Sequence, residues 1–310
     1  MKSALFRLAL LAFCLSGCAL LPERHHLIDL SPYPDTIQLD VPFFEQSDEL
    51  CGPAAMAMLL AWHGVDVDLD LLHQQIYTQG LGGSLQQDML GSARRHGLLA
   101  IPFNTVDELF LELSHGTPVI LLLNLGFVSW PQWHYVVVTG MNTISETAII
   151  HDGQTANREI PLSRLLQQWY RGDRWGLVVT LPEQIPASAD SDELLHAVVG
   201  LERANQLKAA FSAYRSATSI YPDFSLFWIG RGNTALALQD YNEAELAFTR
   251  AIELDSQNGA AYHNLAAALH AQGQDSEALK IISTGRANAI NFHEALSSLE
   301  HRIRNRKDNP

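Results

Sequence analysis

From residue 191 onwards the chain repeats itself every 34 positions. Trp228 recurs as Tyr262, Gly232 as Ala266, Ala244 as Ala278, Phe248 as Ile282 and Ala251 as Gly285. One period earlier, Leu194, Ala210, Tyr214 and Ala217 hold the same register, and Pro222 stands where a closing proline belongs. The small residues let two helices approach closely, and the aromatic ones fill the gap between them. A single helix pair of this kind cannot bury its apolar face alone, so neighbouring pairs must stack. Residues 192–307 are therefore expected to form an all-α solenoid. Its three helix pairs fall at about 191–224, 225–258 and 259–292, and a last helix from His293 to about Arg306 caps the stack.

These positions resemble tetratricopeptide repeats, which implies a surface that holds another protein. Residues 37–181 read differently, because there helical and strand patterns mix. An apolar helix is expected from Pro53 to about His63, a second from Leu69 to Tyr77, and a third in SLQQDMLGSARRHG with Ser84 and Gln87 as its capping box. LLAIPF reads as a strand, and Thr105 with Glu108 caps the next helix. Strand-like runs follow in TPVILLLNL, WHYVVVTG, TAIIHDG and WGLVVTL, with a helix over Leu162–Tyr170 before the last. Helices followed by a largely antiparallel sheet predict an α+β domain. Residues 182–191, rich in Pro, Ala, Ser and acid, read as a linker.

At the other end, Lys2 and Arg7 precede the apolar run LALLAFCL, which is too short to span a bilayer and closes in LSGC. This ending resembles a bacterial lipobox. It implies a signal peptide over 1–18, a lipid on Cys18 and a tether over 19–36. Ala19 fits an outer-membrane anchor facing the periplasm, with display at the cell surface left open. The net charge of −14 becomes more negative once Lys2 and Arg7 leave, which disfavours nucleic acid or anionic lipid as the main partner. Of the three cysteines, Cys14 leaves with the signal and Cys18 takes lipid. Cys51 then has no disulfide partner in an oxidising compartment, so it is either buried and inert or retained for chemistry.

Cys51 lies in QSDELCGPAAMAMLLAWHG, immediately before a predicted helix. Orphan N–H groups and the positive end of the helix dipole there favour the thiolate. Gly52 leaves room for a substrate backbone, and Gln46 supplies a side-chain amide for an oxyanion hole. A nucleophile needs a base, and the base needs an orienting group. His134 opens the strand WHYVVVTG, and Asp152 ends the next strand, so an antiparallel pairing sets the carboxylate beside the imidazole. His151 then points the other way. Trp130 and Trp133 are candidates for a wall of the substrate cleft. The region resembles the papain-like cysteine peptidases, and most closely the bacteriocin-processing (double-glycine) peptidases. That resemblance implies Cys51 as nucleophile, His134 as general base and acid, Asp152 as orienter and Gln46 as oxyanion donor. Gln46 precedes the cysteine by five residues where that family more usually has six. Repeats also stand where its ATP-driven transporter domains follow.

Thirteen histidines bring no HExxH or CxxC, so no metal is expected, and no cofactor. GLGG (80–83) lacks a following GK[ST] and reads as a loop. The chain is thus expected to be a lipid-anchored exported cysteine peptidase, taking a peptide or protein substrate and a protein partner on its repeats. Two alternatives stay open: an amidase or acyltransferase acting on peptidoglycan amides, and a non-catalytic envelope scaffold.

Overall fold

The computed structural model describes residues 29–45, 50–81, 83–289 and 291–307. Central strands that are apolar throughout and buried on both faces, such as VILLLN and GLVVT, organise the first domain. After β1 (Thr36–Gln38) come α1 (Cys51–Trp62), α2 (Leu69–Ile76), the short β2 (Tyr77–Thr78) and β3 (Gly83–Ser84), and α3 (Gln86–Arg95). Next are β4 (Leu99–Phe103), α4 (Val106–Ser114), β5 (Val119–Asn124), β6 (Trp133–Asn142) and β7 (Thr147–His151). The domain ends with β8 (Arg158–Pro161), α5 (Leu162–Tyr170) and β9 (Gly176–Thr180). Among the described residues every pairing in this sheet is antiparallel, in the order β4-β9-β5-β6-β7-β8, and β1 pairs with the far end of β6.

One face of the sheet presents Ala100, Ile120, Leu122, Tyr135, Val137, Leu177 and Val179 to α1, α2 and α3. The ten residues Cys51–Leu60 of α1 are all buried, as a helix apolar all round must be. The opposite face presents Leu99, Ile101, Phe103, Leu121, Leu123, Val136 and Val138 to α4 and α5, and also to helices from beyond the linker. Thr105 and Glu108 form the expected capping box of α4, worth about 1 kcal/mol. The box expected at Ser84 and Gln87 does not form. Ser84 is used up in β3, paired with Tyr77, so α3 starts after Leu85 without a side-chain cap.

The repeats comprise α6 (Ser191–Arg203) with α7 (Leu207–Ile220), α8 (Ser225–Ala237) with α9 (Tyr241–Leu254), and α10 (Gly259–Ala271) with α11 (Asp275–Asn288). The last helix, α12 (His293–Lys307), closes the stack, with Leu296, Leu299 and Ile303 buried. The linker departs from its composition: it is docked. Ala189 is buried, the Ser188 N–H donates to Glu112 Oε1 at 2.7 Å, and Asp190 caps α6. Through α6 and α7 the repeats share a single apolar core with the sheet, from Trp169 across to Leu194, Val198, Tyr214 and Phe227.

Candidate active site

Cys51 is the first residue of α1, two positions earlier than the sequence pattern predicts, and is 8% exposed. Its thiol meets the imidazole of His134, and the backbone N–H groups of Tyr135 and Gly52 also point at the sulfur. Burial pushes this thiol up. The hydrogen bond from His134, those N–H groups and the charge of His134 outweigh burial and leave it below its ordinary value. For His134 burial favours the neutral ring, but the bond to Cys51, the Asp152 carbonyl and the charges of Cys51 and Asp152 raise it above the usual histidine value. Each partner stabilises the charged form of the other. Both shifts run in the direction that favours a thiolate–imidazolium pair.

Two adjacent strands bring His134 and Asp152 together, but not through the carboxylate. His134 Nε2 donates to the backbone carbonyl of Asp152 at 2.8 Å. This corrects the expected carboxylate–imidazole contact. The carboxylate turns away because Arg158 Nη1 holds its Oδ2 at 2.5 Å, while Oδ1 accepts from the N–H groups of Gln154 and Thr155. Burial raises the Asp152 carboxyl, but Arg158 and those N–H groups prevail and lower it. Since Nε2 serves the carbonyl, Nδ1 is the ring nitrogen that faces the thiol. His151 is a satisfied core histidine, 1% exposed, bonded to the Val41 carbonyl and the Asn157 N–H.

Gly52 has a different task from the one its position suggests. It is buried, and a Cβ there would lie 2.4 Å from Ser84 Oγ and 3.3 Å from Met89 Sδ. Packing against its own chain requires the glycine, not the approach of a substrate. Tyr135, unnoticed in the sequence, locks the same corner: its hydroxyl donates to the Ser84 carbonyl at 3.1 Å. Burial raises Tyr135 far above the usual phenol value, and the charges of Cys51 and Asp88 add to this, so it remains a neutral donor. Its place next to His134 was the only sequence signal it carried. Trp130 and Trp133 are 76% and 51% exposed, so neither is a core residue. Gln46 and Cys18 lie outside the described residues. A cleft of about 280 Å³ opens beside His134 and Asp152, walled also by Leu125, Arg158, Arg164 and Gln168, and Cys51 does not line it.

Fold and site together define a class: an α+β domain resembling the C39 peptidases, followed by a run of helices consistent with a repeat solenoid. More narrowly, residues 38–174 match the Peptidase_C39 like family and residues 235–300 match the Tetratricopeptide repeat family. The chain thus carries a C39-like peptidase domain and tetratricopeptide repeats. A solved double-glycine motif protease from an AMS/PCAT transporter, in complex with its leader peptide, is 25% identical. It covers 46% of this chain and 93% of its own, with a TM-score of 0.38. A C39-like peptidase from Bacillus anthracis is 19% identical, with 47% and 98% coverage and a TM-score of 0.43. Human protein O-mannosyl-transferase TMTC3 is 36% identical over 85 residues, which are 27% of this chain; the chain spans 9% of that relative.

Proposed function

We propose that the chain is a cysteine peptidase, exported and held at a membrane by a lipid on Cys18, with repeats that recruit its substrate or a partner. The observation that carries this reading is the contact between the Cys51 thiol at the start of α1 and the His134 ring. In the proposed reaction the thiolate attacks a peptide carbonyl carbon. The oxyanion is held by a backbone N–H at the start of α1 and by the Gln46 amide. His134 gives its Nδ1 proton to the leaving amine as the C–N bond breaks, leaving an acyl-enzyme. It then takes a proton from water, whose oxygen attacks the thioester and releases the acid and the thiolate. On the repeats, a cleft of about 460 Å³ lined by Trp228, Leu246, Thr249 and Arg250 suits a peptide segment of a partner.

Alkylation of Cys51 by iodoacetamide against pH tests the pair directly. In the native chain the reactive thiolate should persist below the pH of about 8.5 at which a free thiol titrates. In His134→Ala the profile should return towards that value. An ordinary or unreactive thiol, indifferent to His134, would overturn the reading. Asp152→Asn supplies a second test. Because the carbonyl, which survives the change, holds the ring, kcat/KM should fall by less than about tenfold. A carboxylate that orients the ring itself loses about 10⁴ on the same change.

A further inference from the structure

Between β5 and β6 the chain makes an exposed apolar turn. Phe127, Val128 and Trp130 are 75%, 81% and 76% exposed, flanked by Leu125 at 43% and Trp133 at 51%. No Asp, Glu, Lys or Arg occurs between His115 and Glu146, in a chain of net charge −14. The turn is built, not slack. Phe127 and Trp130 exchange backbone hydrogen bonds of 3.2 and 3.1 Å. Asn124, 2% exposed, accepts from the N–H groups of Gly126 and Gln132 at 3.0 Å each. Gly126 presses so closely on the Trp130 carbonyl oxygen that a Cβ would lie 2.4 Å from it. A preformed apolar tip loses little entropy on docking. Tryptophan flanking an uncharged apolar tip suits the boundary between water and acyl chains, where an indole can hydrogen-bond at one edge.

We propose that the Phe127–Trp130 turn inserts into a lipid bilayer and seats the thiol site against it, so that the substrates are peptide segments lying at the membrane surface. Trp133 adjoins His134 in sequence, which places the site within a few ångströms of the strand end that carries the turn. β1 pairs the opposite end of β6, roughly 30 Å along the strand. The residues between Cys18 and Thr36 reach that far at about 3.3–3.6 Å each. A lipid on Cys18 and the turn can therefore share one membrane. The substrate class rests on the peptidase reading; the insertion does not.

The test uses the chain from Ala19, which keeps every described residue and lacks the lipid, with phosphatidylcholine vesicles. The native chain should sediment with the vesicles, and its tryptophan emission should shift to the blue. Phe127→Ser with Val128→Ser should lower the partition by about tenfold or more. Ile144→Ser, which removes a side chain 75% exposed in the β6–β7 turn, should leave it unchanged. A native chain that stays in solution, or equal losses in the two variants, would overturn the insertion. For the substrate class, one peptide is offered free and anchored to vesicles by an N-terminal acyl chain. Faster cleavage of the anchored form, lost in the double variant, supports the proposal, and equal rates overturn it. If neither form is cut while sedimentation persists, the peptidase reading fails and the insertion stands.

Discussion

Replacing Cys51 with alanine should reduce peptide hydrolysis by about 10⁴-fold or more, because no other cysteine among the described residues can supply the thiolate nucleophile. His134→Ala should cost a similar factor. The double variant should be no worse than either single one, since the two side chains act as a unit and their losses do not add. The pH profile of kcat/KM carries the signature of the pair. Cys51 is lowered, so the thiolate forms at a pH below that of a free thiol, and activity rises through that titration. His134 is raised, so the imidazolium survives above the usual histidine range, and activity falls as it loses its proton. The expected bell therefore has its acid limb below about 8.5 and its basic limb above about 6.5. Both limbs belong to the pair and not to one residue. A Cys51→Ala chain with undiminished turnover would remove the proposed chemistry altogether.

How much of this was legible in the residues depends on where the information is stored. The repeats were legible because their packing demands small and aromatic residues at a fixed spacing, and Ala210, Tyr214 and Ala217 sit buried as that demand requires. Helix-start grammar also placed Cys51, since an apolar run after Gly52-Pro53 has few other readings. The group that holds the His134 ring left no mark, because a backbone carbonyl is the same at every residue. Arg158 explains where the Asp152 carboxylate goes instead, but its role depends on a strand pairing that brings β8 beside β7. Gly52 misled for a related reason: a buried contact with Ser84 and an open approach path both ask for glycine. The exposed tryptophans had no sequence signal that separated a cleft wall from a protruding tip.

The linker was the least legible segment, and its packing yields the other large prediction. A chain ending at Pro182 should fail to fold into a soluble domain, although residues 38–174 match a family of their own. Removing α6 and α7 strips Leu194, Val198, Leu201 and Tyr214, all 1% exposed or less, from the face of the sheet that also carries Leu99, Ile101 and Phe103. Each such side chain contributes about 1.5–3 kcal/mol by burial, so losing four of them approaches the roughly 5–15 kcal/mol that holds a whole domain together. β4, at one end of the sheet, would lose its cover together with the Gln206 side-chain bond to the Arg95 carbonyl at 2.6 Å. Glu112, fully buried, would lose the Ser188 N–H that its carboxylate accepts. A chain ending after Tyr221 keeps α6 and α7 and should recover solubility, although it gives up the outer repeats. Urea midpoints and the soluble yield of the two truncations would measure this, and a stable chain ending at Pro182 would show that the shared core is dispensable. If the outcome is as expected, α6 and α7 are structural members of the peptidase domain, and only the pairs beyond them are left to hold a partner.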